Sequence, residues 1–196
     1  MPVVMAFSGN DPTGGAGILA DSEAVASMGC RLAPVITTLT VQDTINVISC
    51  LPVESALVVE QARAVLEDMP IRAFKLGMLG SVENVEVVHT LLRDYPDIPV
   101  VLDPVLIAGG GAPLANEELQ QAMISLLFPL TTLLTPNSHE ARLLAPEADS
   151  LDACAHELEG YGCEFVLMTG THESTPMVEN ILYTNRRRLD SWRWER

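Results

Sequence analysis

Basic residues are scarce in this chain of 196 residues: Lys and Arg together number 11 against 26 Asp and Glu, a formal net charge of −15. Nucleic acid is a poor partner for such a surface, because phosphate binding needs clustered Lys and Arg. The one basic cluster, "NRRRLDSWRWER" at the C-terminus, reads as a solvated strand face. Long apolar runs are missing too. No stretch reaches about 18 consecutive apolar residues, the length a membrane span requires. The N-terminus has neither the basic start nor the cleavage pattern of a signal peptide. Cys30, Cys50, Cys154 and Cys163 show no C-x-x-C spacing, which argues against structural zinc and for reduced thiols. These absences lead to the expectation of a cytoplasmic protein with no nucleic-acid and no membrane partner. Disorder is excluded by the composition, 48% hydrophobic and 19% charged.

Short apolar runs alternate with amphipathic stretches. The expected strands are 3–7, 32–40, 73–76, 100–102, 132–134 and 165–168, and none shows polar alternation. That pattern is the one expected of strands covered on both faces. Val82, Val85, Val88, Leu91 and Leu92 form one helical stripe, and Leu119, Ala122, Met123, Leu126 and Leu127 form another behind a capping Asn116. A further helix is expected over 55–68. The rhythm predicts an α/β fold with a mostly parallel central sheet. "VISCLPV" suggests an extra short strand outside it. "NILYTN" and "RRLDSWRW" predict two extended segments joined near Asn185 and Arg186. No closing helix follows them, so the expectation is a single domain over 1–196 that is incomplete at its C-terminal side.

In an open α/β sheet, ligands bind beyond the C-terminal ends of the strands. Here those ends read "SGNDPTGGAG", "TVQDT", "GMLG", "DPV", "TPNSHE" and "TGTHE", rich in Gly, Asp, Asn, Glu and Thr and poor in cations. Within the first, "GAGILA" fits the G-x-G-x-x-A form of a dinucleotide turn. In that fingerprint, however, the glycine follows the strand directly, and an acidic ribose partner comes about 20 residues on. Six residues separate Ser8 from Gly15, and Asp43 comes too late. The glycines serve equally to allow a tight turn. Asp103 beside Pro104 suits either a magnesium ion, usually through water, or a turn cap. Asn137 and Glu140 form either a helix capping box or an oxygen-bearing partner to Asp103. Thr169, Gly170 and Thr171 could offer hydroxyl and N–H groups to a nucleotide phosphate. His139 and His172 join no Ser/His/Asp trio of a hydrolase.

The stretches "SGNDPTGGAGILAD", "VITTLTVQDT", "KLGMLG", "VVLDPV", "LLTPNSHEA" and "VLMTGTHE" occur in the order and spacing of the hydroxymethylpyrimidine and phosphomethylpyrimidine kinases of thiamine biosynthesis. The chain resembles that family, within the ribokinase superfamily, from about Val3 to His172. Pyridoxal kinases share part of the pattern. The resemblance implies a ribokinase-like three-layer α/β/α sandwich. It implies phosphorylation of 4-amino-5-hydroxymethyl-2-methylpyrimidine and then of its monophosphate, with ATP and Mg2+. Gln42 would read the pyrimidine, since an amide both donates and accepts. Gly9, Ala16 and Asp21 would line the same pocket, with Met78 and Val105 as apolar walls. Asp103 and Glu140 would lie on the metal side, and Asn137, Thr169, Gly170 and Thr171 on the nucleotide side. The resemblance also implies a homodimer.

Two departures stand out. Many family members carry a lysine where this chain has Thr169. Family members also continue into a glycine-rich G-[ST]-G-C segment whose N–H groups form an anion hole and whose Cys is the base. None of the 196 residues forms such a segment, so no catalytic residue is assigned, and the expected base and anion hole lie beyond Arg196. Phosphoryl transfer depends on positioning and charge stabilisation, so little turnover is expected of this chain alone. A pyridoxine or pyridoxal kinase and a non-catalytic pyrimidine-binding remnant are the alternatives, followed by a dinucleotide oxidoreductase.

Overall fold

Apolar runs that end in glycine, proline or aspartate become the strands of one sheet. The computed structural model describes residues 1–196. Chain order runs β1 (Val3–Asn10), α1 (Gly17–Ser27), β2 (Arg31–Gln42), β3 (Val47–Pro52), α2 (Ser55–Asp68), β4 (Ile71–Leu76), α3 (Val82–Asp94) and β5 (Val100–Leu102). It continues with α4 (Glu117–Ala122), β6 (Leu133–Leu134), α5 (Ser138–Leu144), α6 (Leu151–Gly160), β7 (Phe165–Met168), β8 (Met177–Thr184) and β9 (Arg187–Glu195). The sheet order is β3-β2-β1-β4-β5-β6-β7-β8-β9. The pairs from β2 through β7 are parallel, whereas β3 and the β8–β9 hairpin pair antiparallel at the two edges. The hairpin turns at Asn185 and Arg186, both at positive φ. The expected mostly parallel α/β sheet, the extra strand at "VISCLP" and the C-terminal hairpin are all present.

Helix starts follow the local chemistry. Ser81, Asn116, Asn137 and Ser150 each accept a backbone N–H at the first turn of α3, α4, α5 and α6. The stripe behind Asn116 does not stay α-helical. After α4 it widens into a π turn over Met123–Leu127 and tightens into a 3-10 turn at Phe128–Leu130, where Pro129 cannot continue a helix.

The two faces of the sheet differ. One carries Met5, Phe7, Phe74, Leu76, Leu102, Leu134, Val166, Met168 and Tyr183, all buried in one core with α2 to α6. Burying such side chains is the main force that holds the fold together. The other face carries α1, which rests on β1 and β2. Beyond α1, register aligns Val101, Leu133 and Phe165 across β5, β6 and β7, and Leu167 with Leu182. These five are only partly buried. The expected coverage of every strand on both faces is therefore corrected for β5 to β7, while the α/β/α layering holds, with α1 as the layer on this second face. An apolar strand face is fit to be covered, but its sequence says nothing of what covers it.

Candidate active site

Strand ends converge on a cavity of about 320 Å³. Gly17 shapes its wall, and Gly80 lies outside its lining. Gly17 opens α1 at φ +60°, and a Cβ there would collide with the Gly9 carbonyl. Gly80 lies at φ +84°, against the Thr38 hydroxyl. Both conformations suit glycine and few other residues. The loop between β1 and α1 is held from within by Asp11. Its carboxylate accepts the N–H groups of Thr13 at 2.8 Å and Ala16 at 2.9 Å, and the Thr13 hydroxyl at 3.0 Å. Gly17 thus serves close backbone approach to β1, and the six residues between Ser8 and Gly15 set this loop apart from a dinucleotide turn.

Gly9, Ala16, Gln42, Met78, Val105, Asp103, Asn137, Glu140 and Thr169 line this cavity together. Gly9 and Gln42 lie within β1 and β2 rather than in loops, because both strands run past their expected ends. β1 does so through a bulge between Ser8 and Gly9. The Thr40 hydroxyl lies 2.8 Å from the Gln42 side-chain oxygen and 2.8 Å from the Asn10 carbonyl. It steadies the glutamine at the cavity mouth.

Three of the expected site residues do not line the cavity. Asp21 sits behind it, paired with Lys75 at 2.9 Å. Gly170 packs against the Glu179 backbone of β8 and donates its N–H to Asn180 at 3.1 Å. The Thr169 N–H is bonded to the Pro136 carbonyl at 2.9 Å. Those two N–H groups are spent inside the protein, so Thr169 offers the cavity its side chain alone. The Thr171 carbonyl accepts from Arg196 at 2.7 Å, outside the cavity.

Lys75 and Asp11 line the cavity although no role was read for them. Lys75 is the chain's only lysine, placed mid-strand in the apolar run "AFKLG". A charge in such a place was the signal. Its Nζ lies 2.7 Å from where a Gly77 Cβ would stand, so the small residue makes room for the ammonium.

Asp103 and Glu140 carry the unusual electrostatics. Burial raises the Asp103 carboxyl above its ordinary range, opposed by the nearby Lys75 and reinforced by Asp21. Burial pushes Glu140 up to about 7, opposed by the Asn137 N–H and reinforced by Asp103. The Asn137–Glu140 capping box forms: Glu140 accepts the Asn137 N–H at 3.0 Å, and Asn137 accepts the Glu140 N–H at 3.0 Å. The capping reading of this pair is thus the one observed. No group of three or more His, Cys, Asp or Glu gathers to hold a metal. Two buried carboxylates without a third ligand fit magnesium, which takes one or two carboxylates and keeps waters and phosphate oxygens for the rest. At the rim the His139 and His172 rings stack 5.0 Å apart.

A mostly parallel sheet with a polar cavity at its strand ends defines an α/β protein that binds its ligand where such sheets bind theirs. A family model described as phosphomethylpyrimidine kinase matches residues 11–196. The chain belongs to that family. It is 38% identical over 176 residues to the hydroxymethylpyrimidine/phosphomethylpyrimidine kinase of Mycobacterium tuberculosis, covering 87% of this chain and 64% of the relative. It is 37% identical to the protein of that name in Haemophilus influenzae, covering 90% and 67%. The chain thus spans about two thirds of the length of these relatives. The crystal structure of phosphomethylpyrimidine kinase from Clostridium difficile matches with a TM-score of 0.86 at 30% identity, covering all of this chain and 84% of that one. A Bacillus subtilis pyridoxal kinase, solved as an ADP complex, shares the fold with a TM-score of 0.87 at 24% identity, covering 100% and 75%. No helix is long and apolar enough to cross a membrane.

Proposed function

We propose that this protein serves ATP-dependent phosphorylation of 4-amino-5-hydroxymethyl-2-methylpyrimidine and its monophosphate. The observation that carries the reading is the meeting of Gln42, Gly9, Ala16, Met78 and Val105 in one cavity whose other side holds Asp103 and Glu140. Gln42 reads the aminopyrimidine edge, while Met78 and Val105 take the faces of the ring. Gly9, which has no side chain, lets the ring approach the sheet. Asp103, with Glu140 acting through water, would hold the magnesium ion, and Asn137 and Thr169 border the nucleotide. Mg-ATP, when bound, supplies the phosphoryl group and neutralises its charge. The N–H groups of Asn137 and Leu106 fix the Glu140 carboxylate at the cavity wall.

A homodimer belongs to the same reading. In support, Leu39, Val41 and Leu51 share one face of the β2–β3 pair and are 44%, 57% and 66% exposed.

Calorimetric titration with the aminopyrimidine alcohol tests the proposal. Gln42→Ala is expected to weaken that binding by about 10- to 100-fold, the cost of leaving a polar partner unpaired. Equal affinity in wild type and variant would remove Gln42 as the reader, and no binding to the wild type would remove the function.

A further inference from the structure

The supply of positive charge at this cavity carries a further consequence, which rests on the function just proposed. Lys75 is the only cationic side chain among the cavity's lining residues, against the carboxyl groups of Asp11, Asp103 and Glu140, the last two held partly toward their neutral form by burial. It is also already committed: its Nζ lies 2.9 Å and 3.1 Å from the two carboxylate oxygens of Asp21, and the two side chains are only 23% and 16% exposed. The nearby Arg142 is held outside the cavity by two bonds to Glu173, at 2.8 and 3.2 Å. Thr169 brings a hydroxyl where a lysine would bring a charge. A ligand entering the cavity therefore meets no unpaired cation and a surplus of carboxylates.

We infer that the cavity takes the uncharged hydroxymethyl compound in preference to its monophosphate, and that a divalent cation is what admits the monophosphate. The ring contacts are common to both ligands, so the difference lies in the phosphate dianion. In a half-enclosed site, repulsion between it and the carboxylates is screened less than at an open surface. The Lys75–Asp21 pair acts as a near-neutral unit and offsets little of that repulsion. A magnesium ion between the carboxylates and the phosphate converts it to attraction.

Calorimetry of the wild-type chain with each of the two ligands, in EDTA and in magnesium chloride, tests this. In EDTA the alcohol is expected to bind at least about tenfold more tightly than the monophosphate, and raised ionic strength or magnesium is expected to narrow that gap. Asp21→Asn frees Lys75 and is expected to improve the monophosphate relative to the alcohol in EDTA, whatever it does to both. Equal affinity for the two ligands in EDTA, or a gap indifferent to salt and magnesium, overturns the preference and leaves the function standing. Failure of the alcohol to bind under any condition overturns the function and the preference with it.

Discussion

Asp11 touches no substrate in this reading, yet three donors converge on its buried carboxylate. Asp11→Ala leaves the N–H groups of Thr13 and Ala16 without a partner and lets the Gly14–Gly17 wall drift. A loss of about 2 kcal/mol in urea unfolding is expected, since bonds to a charged acceptor are worth more than neutral ones. Individual residues were legible where their chemistry is local. The Asn137–Glu140 capping box can be read from four letters, and the glycines around Gly17 announce close backbone approach. Partners distant in sequence hid the rest. That Gly170 spends its N–H on Asn180, or that Asp21 turns back to Lys75, depends on which strands and helices become neighbours. No spacing within one segment contains that information.

Elements lock one another through a few polar contacts as well as through the core. Asp152 at the start of α6 accepts from Tyr183 of β8 at 2.5 Å and from Arg188 of β9 at 2.8 Å through each oxygen. The Arg188 guanidinium, with the Tyr183 hydroxyl, holds the Asp152 carboxyl down at about 2 against an ordinary 3.8. A depressed folded pKa adds stability that is complete above about pH 4 and fades as the pH falls through about 2. Asp152→Asn should therefore flatten the acid limb of the melting temperature, by an amount under about 1 kcal/mol because the pair is largely exposed. At the opposite edge, Leu51→Glu on β3 puts a charge on the exposed apolar face of the β2–β3 pair. Sedimentation is expected to show the proposed dimer giving way to monomer, and a dimer unchanged by the substitution would place the contact elsewhere. Most elements were legible from apolar runs and helical stripes, but their limits were not. β1 reaches Asn10 because a bulge carries pairing past Gly9, and β6 shrinks to Leu133–Leu134. Hydrogen bonding to neighbouring strands set those ends.

At the scale of the whole molecule, strand ends from across one sheet supply the cavity lining. The 196 residues line a substrate cavity and hold no G-[ST]-G-C turn. A polypeptide of these residues is expected to bind the aminopyrimidine yet phosphorylate it at least about a hundredfold more slowly than the Clostridium difficile relative, since losing even one oxyanion donor costs that much. An ATP-coupled assay at matched concentrations checks it, and comparable turnover would mean that another group supplies the anion hole. The sheet itself is divided, with one face buried from β2 to β8 and the other carrying α1 over β1 and β2. The chain's two tryptophans, Trp192 and Trp194, both stand on β9, each 46% exposed and outside the cavity lining. Their emission is thus a private reporter of one sheet edge: ligand entry leaves its colour alone, and loosening of the hairpin shifts it red. Followed beside circular dichroism during heating, that emission would time the fraying of the edge against the melting of the packed layer.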